Sequence, residues 1–288
     1  MLSHTTKGKY CIMNSKLLFL DIDGTLTEAG YNIPPASALD AVRKAQRNGH
    51  KVFLCSGRNR AMLRPLLQYG FDGYVASAGG YVVCDDNVVF DRPMNPEVFR
   101  LAMDCFGRNH VFRTVECLNG TYGDSGLGDL LEGADAFSNS ELLRFRRQLS
   151  ETLDIRPMNE YDGSPVYKIV FMCTDRHQLD EPMELLSKYF VFCVQNLEAV
   201  GCLNGEVFGL DFNKGIGIHK LCEFLGKDIS DTIGFGDSMN DKEMFEAVGY
   251  SVCMENGHPT MKAMADYVCP SVSDDGLYKA FEKLGLIV

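Results

Sequence analysis

The 288-residue sequence predicts an α/β fold, a doubly wound, Rossmann-like parallel sheet with an α+β domain inserted into it. Three observations carry this expectation. Short runs of four or five apolar residues recur between turn residues, as strands buried on both faces do. Near both ends of the chain these runs alternate with segments of helical periodicity, which argues for right-handed parallel crossovers. In the middle the alternation lapses, and strand-like and helix-like stretches follow one another without it.

Leu17-Leu18-Phe19-Leu20 is the first strand, and it runs straight into Asp21, Ile22, Asp23 and Gly24. Residues 28–35 form a loop with two prolines, and 36–48 carry Leu39, Val42 and Ala45 at helical spacing before Gly49. Lys51-Val52-Phe53-Leu54-Cys55 is a second strand ending in Ser56-Gly57-Arg58. A helix over 59–69 and a short strand over 73–77 follow. Asp85-Asp86-Asn87 reads as a hairpin turn between 81–83 and 88–90. Helical patterning then covers 96–106, 139–153 and 176–188, with strand-like runs at 111–117, 166–173 and 190–194. The first grammar returns with a helix over 215–225, a strand over 232–236 and a helix over 242–248. Further strands at 250–254 and 267–270 flank a helix at 259–265, and a helix over 274–284 ends the series. The expected division is a tail at 1–12, a core formed by 13–84 and 206–288, and an inserted domain at 85–205.

Composition narrows the function. Hydrophobic content of 45% and charged content of 23% belong to an ordinary globular protein with a large core. A net charge of −11, with no basic run, argues against nucleic acid or an anionic membrane as partner. An acidic protein handling an anionic substrate needs a local cation to offset its own field. Eleven cysteines, evenly spread and without a C-x-x-C pair, fit neither a disulfide framework nor a zinc site. They read as buried thiols of a cytoplasmic protein. Apolar runs are strand-sized, and no signal peptide or membrane span is visible.

The chemistry-bearing residues stand at strand ends. Asp21 and Asp23 are two apart on an extended segment, so both carboxylates share one side and one small volume. Like charges that close raise each other's pKa unless a cation intervenes, which makes the pair a candidate metal and acid–base site. An Asp-Gly turn closing a strand is the plainer reading. Ser56 and the amides of the following turn, Gly57 included, suit a phosphoryl oxygen, although a serine here can also be only a helix cap. Lys214, in Asn213-Lys214-Gly215-Ile216-Gly217, precedes a predicted helix. In Gly234-Phe235-Gly236-Asp237-Ser238-Met239-Asn240-Asp241, a strand again ends in a carboxylate, with Asp241 four residues on as a second carboxylate or an ordinary cap. Cys55 is followed six positions later by Ala61 rather than arginine, which excludes a cysteine phosphatase loop. The absence of a G-x-x-x-x-G-K-[ST] loop disfavours a nucleotide-driven kinase.

In this order and setting, D-I-D-G-T, the Ser56 turn, K-G-x-G and G-D-S-M-N-D resemble the four motifs of the haloacid dehalogenase-like superfamily. With a large insert between the second and third motifs, the chain resembles its Cof-type phosphatases. That resemblance implies Asp21 as nucleophile and Asp23 as general acid and base. It implies Mg²⁺ held by Asp21, Asp237 and the Asp23 carbonyl. Ser56, Gly57 and Lys214 would bind the phosphoryl group, with Asn240 and Asp241 orienting Lys214 and the metal's waters. Arg58 would add positive potential or pair with a surface carboxylate. The implied partner is a small phosphate ester, such as a sugar phosphate, pyridoxal phosphate or flavin mononucleotide, taken by a monomer or homodimer. A sugar phosphomutase and a non-catalytic binding protein are the alternatives. The insert would act as a cap, with 119–128 and 160–165 as candidate substrate loops.

Overall fold

The computed structural model describes residues 15–126, 155–197 and 202–287. The expected tail at 1–12 and the whole of the expected helix at 139–153 lie outside the described residues, as does the end of the candidate loop at 119–128.

The described chain runs β1 (Leu17–Leu20), α1 (Ala36–Arg47), β2 (Lys51–Cys55), α2 (Arg60–Leu67), β3 (Gly73–Ala76), β4 (Tyr81–Cys84) and β5 (Asn87–Asp91). It continues through α3 (Pro96–Arg108), β6 (Phe112–Cys117), β7 (Thr121–Gly123), β8 (Ile155–Pro157), β9 (Val166–Cys173), α4 (Asp180–Leu186), β10 (Phe190–Leu197) and β11 (Cys202–Gly209). The last part is α5 (Lys214–Leu225), β12 (Thr232–Gly236), α6 (Lys242–Ala247), β13 (Tyr250–Met254), α7 (Pro259–Met264), β14 (Tyr267–Cys269) and α8 (Gly276–Lys283).

Two sheets result. The first has eight strands in the order β14-β13-β12-β1-β2-β3-β4-β5. β14 to β3 are parallel, and β4 and β5 close the edge as an antiparallel hairpin. The continuous apolar runs follow from burial on both faces. Leu18, Leu20, Val52 and Leu54 pack with α1, α2 and α8, while Leu17, Phe19, Phe53 and Cys55 pack with α5, α6 and α7. Each fully buried leucine of β1 stabilises the fold by roughly 1.5–3 kcal/mol. The chain leaves β1 toward β2 on one side and returns beside it as β12 on the other. Such a switch in strand order opens a crevice at the carboxyl ends of the strands.

The second sheet has six strands in the order β10-β11-β9-β6-β7-β8. Ile169, Phe171 and Cys173 of β9 pack on one face against Ala102, Cys105 and Phe106 of α3, following the two-residue period of a strand. Strand pairing moves both expected boundaries of the insert. The hairpin strand β5, placed after the boundary at 85, pairs with β4 in the first sheet. The boundary at 205 cuts β11, which pairs along its length with β9 and β10. The cause is that hairpin pairing extends past the point where the alternation of strand and helix stops. Tyr167 on β9 donates its hydroxyl to Asp91 at 2.6 Å, and Asn59 donates to the Thr121 hydroxyl at 3.0 Å, so the two sheets are joined by buried or half-buried polar contacts.

Among the described residues, Cys55, Cys84, Cys105, Cys117, Cys173, Cys222, Cys253 and Cys269 are buried and Cys193 is half-buried. Among the described residues, no helix is long and apolar enough to cross a membrane.

His50, buried where α1 turns into β2, accepts the Lys16 backbone N–H on Nδ1 at 3.0 Å. Burial, helped by Lys16, lowers its pKa below the ordinary value of 6.5. A folded-state pKa below the unfolded one means that this stabilisation is present above about pH 6.5 and is lost as pH falls through the folded value. Thermal midpoints at pH 7 and pH 5 should therefore differ less for His50→Leu than for the wild type. Equal differences would show that His50 does not couple folding to pH.

Candidate active site

β1 delivers Asp21 to the crevice, and the strand pairing holds it there, since the Asp21 N–H donates to the Phe235 carbonyl of β12 at 2.9 Å. Gly24 then turns the chain with a φ of +85°, a region open to glycine and costly for other residues. A Cβ at Gly24 would lie 2.3 Å from an Asp237 carboxylate oxygen. The motif thus needs glycine twice, for the turn and for the close approach of the third motif-bearing strand end.

Lys214 begins α5 behind the cap residue Asn213, whose side chain accepts the Ile216 N–H at 2.8 Å. Its ammonium, only 2% exposed, donates to Asp21 at 2.7 Å, to Asp241 at 2.6 Å and to Asn240 at 3.3 Å. Burial opposes a charged lysine here, but Asp21 and Asp241 outweigh it and hold its pKa well above 10.5. From sequence alone, a lysine in a loop before a helix is ordinarily exposed and inert, and only the K-G-x-G setting marks this one. Its company is what the fold adds.

Asp241 is fully buried and saturated. One oxygen takes Lys214, and the other accepts the backbone N–H groups of Asp237 and Ser238 at 3.0 and 3.2 Å. Asp237 is different: its carbonyl accepts the His258 N–H at 2.7 Å, yet its buried Oδ1 has no hydrogen-bond partner. Such an atom is costly unless something occupies it. Burial, and then the charges of Asp241 and Asp21, raise the Asp237 pKa well above 3.8. Burial, followed by the charge of Asp241, pushes Asp21 up to about 8, against the pull of Lys214.

Oxygens of Asp21, Asp237 and Asp241 lie within 4.8 Å of one another. Hard oxygen donors, an orphaned buried acceptor and strained carboxylate protonation all fit a small divalent cation such as Mg²⁺. Because both Asp241 oxygens are already engaged, Asp21 and Asp237 are the better direct ligands, and Asp241 acts on Lys214 and on the backbone.

The Asp23 carboxylate is engaged by a different cation from Asp21's. Arg58 grips it through Nε and Nη2 at 2.9 and 2.7 Å, with both residues nearly fully buried. The alternative of a surface partner for Arg58 is thus overturned, because the turn after β2 folds inward rather than onto the surface. Residues that the sequence did not single out complete this arm: Asn32 and the Tyr31 carbonyl accept from Arg58 at 2.6 and 3.3 Å, and the Gly30 N–H donates to Asp23 at 2.9 Å. Nothing in a proline-bounded loop signalled that role.

Ser56 is buried and its hydroxyl accepts the Arg58 N–H at 3.2 Å. Gly57 follows in the same turn. Burial pushes the adjacent Cys55 thiol up, so it stands as an inert strand residue. Of the candidate cap loops, 160–165 makes contacts of its own turn, with the Ser164 N–H on Asp162 and the Tyr161 hydroxyl on the Ser164 carbonyl.

The family model for haloacid dehalogenase-like hydrolases matches residues 18–281. The chain belongs to that family. It is 32% identical over 280 residues to "Putative phosphatase YkrA" of Bacillus subtilis, covering 96% of this chain and 100% of that protein. To an "HMP-PP phosphatase" of Yersinia enterocolitica it is 25% identical, over 86% of each chain. Among solved structures, BT1666 from Bacteroides thetaiotaomicron, described among phosphatases of this superfamily, superposes with a TM-score of 0.79 at 23% identity, over 99% of this chain and 100% of that one. As a haloacid dehalogenase-like phosphatase, the chain is a phosphoric monoester hydrolase.

Gly24→Ala tests the close approach. The backbone penalty alone is about 1–2 kcal/mol, and the added methyl must also displace Asp237. A thermal midpoint several degrees below the wild type, about 2–4 °C for each kcal/mol in a chain of this size, is expected. An unchanged midpoint would contradict the packing of Gly24 on Asp237.

Proposed function

We propose that this phosphatase is Mg²⁺-dependent and hydrolyses small phosphorylated metabolites through an aspartyl-phosphate on Asp21. Sugar phosphates are the first choice of substrate, with pyridoxal phosphate and flavin mononucleotide as further candidates. The observation that carries the reading is the pairing at the crevice: Asp21 on Lys214 at 2.7 Å, beside an Asp237 oxygen with no partner. A carboxylate is a poor nucleophile toward a phosphate dianion, so charge has to be cancelled around both. Bound by Asp21, Asp237 and the Asp23 carbonyl, Mg²⁺ would supply part of that cancellation.

Asp21 attacks phosphorus in line as the P–O bond to the leaving group breaks. Lys214, Ser56 and the Gly57 amide hold the phosphoryl oxygens in place. Asp23 gives a proton to the leaving alkoxide, and then takes one from the water that attacks the aspartyl-phosphate. Asp23 enters the first step carrying the proton that it gives up, and the carboxylate left behind, oriented by Arg58, takes the water's proton in the second. Asn240, which accepts from both Lys214 and Ser238, and Asp241 keep Lys214 aimed.

The segment from 92 to 209, whose strands form the second sheet, acts as the cap over this site. The protein works in the cytoplasm as a monomer or homodimer; the burial of eight of the described cysteines supports the compartment.

Phosphate release from sugar phosphates, pyridoxal phosphate and flavin mononucleotide, with Mg²⁺ or with EDTA, tests the proposal. Turnover should require Mg²⁺, vanish in Asp21→Asn, and fall about 10²–10⁴-fold in Asp23→Asn. Transfer of phosphate to a second sugar hydroxyl under a bisphosphate primer, without net release, would instead establish a mutase. Undiminished release by Asp21→Asn would refute the nucleophile.

A further inference from the structure

The Ser56-Gly57-Arg58 turn has three consecutive carbonyls, and each is tied back by a donor. The Ala78 N–H donates to the Ser56 carbonyl at 3.1 Å, and the Ser77 N–H donates to the Arg58 carbonyl at 2.9 Å. Both donors sit in a left-handed turn, with φ of +55° and +50°, a conformation that non-glycine residues adopt only where the surroundings impose it. The next residue, Gly79, lies so close to Asn213 that a Cβ there would fall 2.0 Å from the Asn213 carbonyl oxygen. One strained turn therefore braces both the β2 turn and the start of the Lys214 helix.

The middle carbonyl, that of Gly57, is held from the other sheet. Lys168 of β9 donates its ammonium to it at 3.0 Å. Lys168 has no solvent exposure, and its charge is matched on its own sheet by Glu206 at 2.7 Å and Glu116 at 3.4 Å. Glu116 sits directly across from Lys168 in the β6–β9 register, and Glu206 two residues from its β11 neighbour Phe208. Period-two alternation puts Lys168 opposite the face that packs on α3. A lysine fully buried among apolar strands is expensive, and here it reaches across to a peptide of the β2 turn. Fixing the Gly57 carbonyl fixes the plane of the Gly57–Arg58 peptide, whose N–H is the one on the Ser56 hydroxyl.

We propose that Lys168 is a positioning residue for phosphoryl transfer: by holding the Gly57 carbonyl it sets the Ser56–Arg58 turn, so that the turn is ordered only when the second sheet lies on the first. This rests on the reading above that the turn binds the phosphoryl group. It concerns the group transferred, which every substrate shares, rather than the leaving group.

The test is Lys168→Met combined with Glu116→Gln, so that the buried acid does not lose its partner. Amide hydrogen exchange of the peptide spanning 55–62 is read without any turnover, together with kcat and KM for p-nitrophenyl phosphate and glucose 6-phosphate. Exchange of that peptide should quicken, and kcat should fall about 10–10²-fold, by the same factor for both esters with little change in KM. Lys168→Arg should recover part of the loss. Wild-type exchange across the peptide would overturn the inference, and so would a loss confined to one ester, which would make Lys168 a leaving-group contact. Should the double variant not fold, Glu206→Gln weakens the same hold at the partly exposed partner and is read in the same way. A wild type inactive on every ester would defeat the phosphatase mechanism, while the exchange result would still decide the role of Lys168.

Discussion

Three buried carboxylates around one buried lysine set the terms for the rest of the molecule. Asp21, Asp237 and Asp241 carry three negative charges when ionised, and Lys214 returns one. At separations below 4.8 Å and an effective dielectric of about 20, each like pair repels by on the order of 3 kcal/mol. Two negative charges remain uncompensated, which is the charge of one divalent cation. Burial, and then this repulsion among the carboxylates, raises the pKa values of Asp21 and Asp237. Asp23 lies outside this account because Arg58 neutralises it separately.

The fold's contribution is to make so unfavourable a cluster rigid. Asp21 and Asp237 end neighbouring parallel strands whose pairing continues into the Asp21 amide. Asp241 is locked by two backbone amides, and Lys214 starts a capped helix. The core leucines and phenylalanines of β1, β2 and β12 have no part in the chemistry, but they resist the repulsion that the site concentrates. The second sheet then adds a contact to the turn after β2, so the geometry at the crevice depends on both sheets.

Much of this was legible in the chain. Strands β1, β2, β9, β12 and β13 read directly from apolar runs, because burial on both faces leaves little room for other residues. Asp21 and Asp237 stood out because strand ends in a doubly wound sheet converge, whereas Lys214 and Asp241 stood out only through the motifs they sit in. What did not read was pairing at a distance. Strand β5 falls within the insert expected to begin at 85, because its own sequence does not state which sheet it joins. The short strands β7 and β8 are only three residues each, too brief for a period to show. Arg58 announced a charge but not its partner, since a 35-residue separation from Asp23 closes only when the β1–α1–β2 crossover is folded. Ser77 and Ala78 carry no compositional mark of their left-handed backbone, and the sequence did not single out Lys168 within the apolar run 166–173.

In the proposed mechanism a single divalent cation would complete the acidic cluster. Calorimetric titration of Mg²⁺ into wild-type protein and into Asp237→Asn measures that directly, without substrate. One Mg²⁺ bound per wild-type chain, with the heat lost in Asp237→Asn, is the result that the charge balance predicts. No binding to the wild type, or equal binding by the variant, would contradict it.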